Sequence, residues 1–261
     1  METLTVFDFK NTNLIVIFFL SGYNIIMKIF ASGSCRLLTT INNGYNKIIP
    51  IHSMFHNFEG INFLGKLHNT KQHIQFIKFI KDEIILPEYI LPKFLTSYNE
   101  YTLGCKCEGI TLNQIKKENI KKEFDECEWY IFEICSLKLY TLHGFQVQYE
   151  HTNDYDCILQ SEEELLEDLI TLRNLIPSNK KILFQTHFRP NIIYNNENIN
   201  KRELIYNVIK KFCENNNNNI FIYDPSLLIK LNLSLFDGDT HFTTNGHLES
   251  FNYILNLISL N

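Results

Sequence analysis

The stretch best equipped for chemistry is "GSCR", Gly33 to Arg36, which sets two potential nucleophiles, Ser34 and Cys35, side by side after an apolar run. A thiol reacts as its thiolate. Ionisation is favoured at a helix N-terminus, where unpaired N–H groups face it, and beside a cation such as Arg36. A second reactive group stands near the other end of the chain, in "LFDGDTHFTTNGH", residues 235–247. There His241 follows two acids, Asp237 and Asp239, and precedes a Thr-Thr-Asn-Gly helix start. An imidazole takes a proton from a thiol and later returns it to a leaving group, and a nearby carboxylate fixes its tautomer. His187 and Arg189, in "QTHFRP" just past a strand, are further candidates for contact with a substrate.

These groups need a scaffold that brings distant segments together, and the hydrophobic pattern supplies one. Lys28 to Ala31 suits a short buried strand, and a helix begins near Arg36. "NKIIPIHSMF" suits a second strand, interrupted by Pro50. In "NTKQHIQFIKFI" Ile74, Ile77 and Ile80 share one helical face, with Asn69 or Thr70 as the cap. His68 and Thr70 then lie at that helix start, where N–H groups suit a polar ligand. Residues 87–102 read as an irregular loop.

"CEWYIFEICS" is a continuously apolar strand around Glu133, ending at Ser136. Residues 137–160 alternate aromatic and polar positions around Gly144, as an inserted β-hairpin would. Ser161 to Glu164 is a capping box, opening a helix that stops before Pro177. Strand "KKILFQTHF", helix "NKRELIYNVIKKFCE", strand "IFIYDPS" and a terminal helix over "TTNGHLESFNYILNLISL" complete the alternation. The pattern predicts a flavodoxin-like three-layer α/β sandwich with a mostly parallel central sheet and a small β-rich insertion. In such sheets, sites form at the carboxyl ends of the strands, where the Gly33 turn, Ser136 and His187 all fall.

The totals agree with a globular protein. Of 261 residues, 45% are hydrophobic and 20% charged, enough for a sizeable core. A net charge of -5 gives no basic field for nucleic acid, and the run "QIKKENIKKEFDE" is a mixed-sign solvated helix face. Seven cysteines without framework spacing indicate a reducing, cytoplasmic setting. Histidines 52, 56, 68 and 73 lack the spacing of a helix-borne zinc site, so no metal is expected. The apolar stretch before Lys28 has acids ahead of it and is broken by Ser21, Gly22 and Asn24. It reads as part of an extension, residues 1–26, rather than a signal or a stable membrane insertion. Residues 27–261 then form one domain.

With both ends in view, the chain resembles the SGNH (GDSL-type) hydrolases, and more closely their cysteine-bearing relatives with a Gly-Ser-Cys or Gly-Asn-Cys opening. Some of those relatives are linked to acylation of surface polysaccharide. The resemblance implies that Cys35, at the third motif position, is the nucleophile rather than Ser34, with His241 as base and Asp237 or Asp239 behind it. It implies an esterase or O-acyltransferase acting on an acyl ester, of a carbohydrate or another small molecule. No cofactor is required, and an acyl-CoA donor is conceivable.

The chain departs from the family in two places. Gly238 occupies the position of the family's Asp-x-x-His aspartate, and "EICSLK" stands where a Gly-x-Asn-Asp loop would be. Ser136 or Lys138 would have to serve in that loop's place. Gly60 or Gly65, and Asn57 or Asn69, would have to supply oxyanion donors, while Gly33, Arg36, His68 and Thr70 line the cleft. The rival reading is a catalytically inactive SGNH-like module that binds glycan or protein.

Overall fold

The computed structural model describes residues 16–20, 23–27, 29–45, 67–95, 117–148, 155–189, 197–216, 219–238 and 241–261. Within the expected extension, β1 (Val16–Leu20) and β2 (Tyr23–Met27) form an antiparallel hairpin. The strand before the Gly33 turn is β3 (Ile29–Ser32), buried at every position, and α1 (Cys35–Tyr45) follows at once. The second strand expected over "NKIIPIHSMF" lies outside the described residues, as do Asn57, Gly60, Gly65 and the Cys105–Cys107 pair.

Next come α2 (Thr70–Ile80), a short α3 (Leu91–Phe94) inside the stretch read as loop, and α4 (Lys117–Glu126). Asn69 caps α2, its side-chain oxygen accepting from the Gln72 N–H at 2.9 Å. Strand β4 (Trp129–Ile134) is wholly buried, as a strand covered on both faces must be. The insertion is a small antiparallel sheet of β5 (Lys138–Leu142), β6 (Phe145–Gln146) and β7 (Asp156–Leu159), in the order β6-β5-β7. Its tight turn uses His143 and Gly144, both at positive φ, as a two-residue hairpin demands. Gln75 of α2 pins it like a strand partner. The Gln75 amide donates to the Gln146 carbonyl at 2.9 Å, and its oxygen accepts from the Gln146 N–H at 2.8 Å.

The remaining elements are α5 (Glu162–Leu175), opened by the Ser161–Glu164 capping box, then β8 (Lys181–Thr186), α6 (Glu197–Asn215) and β9 (Ile220–Tyr223). They are followed by α7 (Ser226–Leu231), a short antiparallel pair of two-residue strands, β10 (Phe236–Asp237) and β11 (His241–Phe242), and α8 (Thr244–Leu260). The central sheet runs β3-β4-β8-β9, with every neighbour parallel. Phe30, Tyr130, Phe132 and Phe184 face one layer, which includes Phe76 of α2, Leu169 of α5 and Ile209 of α6. Ile29, Ala31, Ile131 and Leu183 face the other, made by Leu37 and Ile41 of α1 with Phe251, Ile254 and Ile258 of α8. This is the expected three-layer α/β sandwich. Its first and last helices lie side by side on one face. Among the described residues no helix is long and apolar enough to cross a membrane.

Candidate functional site

The Gly33 turn is held by a carboxylate from the neighbouring strand. Glu133, fully buried on β4, accepts from the Ser34 N–H at 2.7 Å, the Ser34 hydroxyl at 2.6 Å and the Arg36 Nε at 2.8 Å. Gly33 is required there, because a Cβ would sit 2.5 Å from the Glu133 Cβ. Burial pushes the Glu133 carboxyl up, but the Arg36 charge and the bonds from Ser34 outweigh it and hold it below the usual range.

Two expectations are corrected here. The Ser34 hydroxyl is committed to Glu133 and is 1% exposed, so its role is to hold the turn rather than to attack a substrate. The Arg36 charge is balanced by Glu133 in a buried pair and is no free cation for lowering a thiol pKa or binding substrate. What remains to favour a thiolate is the N-terminus of α1, where Cys35 is the first residue. The Cys35 side chain lies outside the described residues.

The C-terminal loop approaches the same end of the sheet. Asp237 stands directly opposite His241 across the β10–β11 ladder, and both are exposed. The ladder therefore supplies the acid–histidine juxtaposition from an acid four residues ahead, with Gly238 making the turn at φ +66°. Asp239 lies outside the described residues. Phe242 anchors the hairpin in a small cluster with Phe188, Leu228 and Leu235. Behind it, the His247 Nδ1 is 2.8 Å from the Thr40 hydroxyl of α1, and the ring also bonds the Arg36 main chain. His247 thus stitches the start of α8 to the start of α1. His241 lies within electrostatic reach of both His187 and His247.

The candidates on α2 have structural duties. Asn69 and Thr70 are buried; the Asn69 amide donates to the Lys138 carbonyl at 3.0 Å, and the Thr70 hydroxyl to Asp168 at 2.8 Å. They tie α2 to the insertion and to α5 instead of lining a cleft, which corrects their expected role. The half-buried His68 gives its carbonyl to the N–H groups of Cys135 and Ser136, and the Ser136 hydroxyl accepts from the Lys138 N–H at 3.0 Å. Arg189 is stacked 3.6 Å over the Tyr206 ring and paired with Asp224 and Glu203. His187 is 5% exposed, its Nδ1 2.9 Å from the Phe188 carbonyl. A carbonyl only accepts, so Nδ1 carries the proton and Nε2 is the acceptor.

Two functional-looking residues escape motif reading. Glu133 was visible only as a lone charge in an apolar strand, and a buried charge needs a partner. His73 is fully buried between the Ser32 hydroxyl and the Glu133 carbonyl, each 3.1 Å from a ring nitrogen. Burial holds its pKa down at about 4. His247 is likewise pushed down to about 4 by burial, and His187 well below the ordinary value by burial and the Arg36 and Arg202 cations.

A folded pKa below the unfolded value of about 6.5 means that the unfolded chain binds protons first as pH falls. Stability is therefore full above about pH 6.5 and is lost progressively toward the folded values near 4. Urea midpoints measured from pH 7.5 to 5 should fall, and His73→Gln should flatten the profile. A midpoint independent of pH over that range would contradict it. No protein-family model matches the chain, and no curated protein matches it.

Proposed function

We propose that the chain is an esterase or O-acyltransferase in which Cys35 is the nucleophile and His241 the base. The observation carrying this reading is the stitching of α8 to α1 through His247, Thr40 and Arg36, which brings the Cys35 turn and the His241 hairpin to one end of one sheet face. In the first half-reaction the Cys35 thiol proton passes to the His241 imidazole, and the thiolate attacks the ester carbonyl carbon. The tetrahedral oxyanion is met by N–H groups at the start of α1. Collapse breaks the carbon–oxygen bond, His241 returns its proton to the leaving alcohol, and an acyl thioester remains. Water or a sugar hydroxyl, deprotonated by His241, then attacks the thioester and restores the thiol. Asp237 orients the imidazole across the hairpin. Seven cysteines without the spacing of a disulfide framework suit a reducing compartment, the cytoplasm.

An acyl-ester activity probe tests the reading. Labelling should occur in the parent and in Ser34→Ala, and fall by at least about a hundredfold in Cys35→Ala. Unchanged labelling of Cys35→Ala removes the proposed nucleophile, and an unlabelled but folded parent favours the inactive binding module.

A further inference from the structure

An edge strand leaves a row of backbone N–H and C=O groups unpaired, and such a row is a template for another strand. The sheet of the insertion ends in β7, which pairs with β5 on one side and with no described strand on the other. The phase of the ladder says which groups face outward. The Gln160 N–H donates to the Leu137 carbonyl at 2.9 Å, one step beyond the Lys138–Leu159 pair. On the far side of β5, the Val147 N–H donates to the Tyr140 carbonyl at 2.8 Å. Hydrogen-bonded and non-bonded pairs alternate in an antiparallel ladder, so Asp156 and Ile158 turn their main chain toward β5. Cys157 and Leu159 turn theirs away. Among the described residues nothing bonds those outward groups, and all four residues of β7 are exposed.

The devices that usually blunt an edge are missing here. Cys157, Ile158 and Leu159 include no charge and no proline, and the register runs without a bulge. Ile158 is 52% and Leu159 54% exposed, one on each face of the sheet. The flanking charge has one sign. Asp156 precedes the open groups, and beyond Gln160 and Ser161 the first turn of α5 is Glu162, Glu163 and Glu164. Neither lysine nor arginine stands between Lys138 and Arg173 in the chain. Lys138 lies opposite Leu159 on β5 and offsets one of these acids. A second copy of the chain paired along β7 would bring two acidic rims together, which like charges oppose. A cationic strand would meet opposite charge at both ends of the edge.

We infer that the outer edge of β7 binds an extended, lysine- or arginine-rich segment of a partner protein by strand addition. The main chain of Cys157 and Leu159 supplies the hydrogen bonds, and Ile158 and Leu159 give the added strand an apolar contact on either face. Asp156 and the acids opening α5 select for cationic side chains. This surface belongs to the insertion and is independent of the Cys35–His241 reading.

Amide hydrogen exchange of the full chain, resolved to single residues, tests it. The probes are two acetylated heptapeptides, one alternating lysine with valine and the other glutamate with valine. In the free chain the Cys157 and Leu159 amides should exchange fast. Saturating lysine–valine peptide should slow both at least tenfold, and the glutamate–valine peptide should slow neither. Cys157→Pro removes an N–H that bonds nothing in the folded chain, at a place where an edge strand tolerates proline. It should leave the melting temperature unchanged and abolish the protection of Leu159. Glu162→Lys with Glu163→Lys should weaken the lysine–valine peptide about tenfold or more, and decides the matter alone if the proline variant does not fold.

Protection of Cys157 and Leu159 in the free chain would overturn the inference, because the edge would then be covered by the chain itself or by a second copy. So would a lysine–valine peptide that protects neither amide, or a glutamate–valine peptide that protects them equally. Peptide protection that survives both Cys157→Pro and the double charge reversal would place binding elsewhere and overturn it as well.

Discussion

Glu133→Ala is expected to destabilise the protein by about 3–5 kcal/mol, the range found when one member of a buried ion pair is removed. The carboxylate satisfies three donors, and its loss strands the Arg36 guanidinium, whose side chain is only 10% exposed. The effect comes chiefly from that uncompensated charge, which a double variant can show. Arg36→Met with Glu133→Leu removes both charges at similar volume and should regain most of the loss. Recovery stays partial because the Ser34 N–H and hydroxyl still lack their acceptor. Glu133 also sets the acid limit of the fold. Its folded pKa is depressed, so its contribution is full above the unfolded carboxyl value of about 4.3 and disappears as pH falls through the lower folded value. That window lies below the one set by the buried histidines, so acid unfolding should proceed in two pH ranges. Equilibrium urea unfolding of the three proteins checks the energies, and a double variant no more stable than Glu133→Ala would refute the stranded-charge account.

The layers of the fold were legible because burial writes itself into periodicity. Continuous apolar runs gave β3, β4 and β8, and the Ser161 capping box marked the start of α5 to the residue. The α2 start was legible to within one residue: the sequence offers Asn69 or Thr70 as the cap, and Asn69 takes it. Short elements were harder to read. The four residues of α3 and the two-residue strands β10 and β11 are too short to show a period, and they owe their form to the tertiary contacts of Phe94 and Phe242.

Residue roles at the site were less legible than their positions. "GSC" and "THF" announce reactive groups, but nothing local says that Ser34 is spent on a carboxylate 99 positions away. Nor does the sequence say that Asn69 and Thr70 are taken up by the insertion and α5. Such assignments depend on which side chain a neighbouring strand presents. The register that sets Glu133 beside the Gly33 turn is a property of the sheet, not of either segment. Asp237 shows the opposite case. Its four-residue separation from His241 differs from the Asp-x-x-His spacing of the hydrolases whose motifs the sequence resembles, yet an antiparallel hairpin places that pair face to face.

Gly246→Ala should be the most damaging single methyl in the C-terminal half. In the first turn of a helix such a change ordinarily helps by limiting the unfolded chain. Here the added Cβ would lie 1.9 Å from the Leu235 carbonyl oxygen and 3.1 Å from the Phe242 Cβ. The Leu235 oxygen cannot move freely, because it accepts from the Thr243 N–H at 3.0 Å, a bond that closes the loop onto the start of α8. Either the helix or the hairpin must shift, and the strain is expected to destabilise by about 3 kcal/mol, the upper part of the range for overpacking. The displaced element is the hairpin that carries Asp237 and His241, so probe labelling at Cys35 should fall further than the loss of folded protein explains. Gly238 provides the control. It has positive φ but no atom within 4 Å of an added Cβ, so Gly238→Ala should cost about 1 kcal/mol of backbone strain without dislodging the loop. Labelling per folded molecule should therefore drop in Gly246→Ala and hold in Gly238→Ala. Equal labelling in both would mean that the clamp between Leu235 and α8 does not position His241.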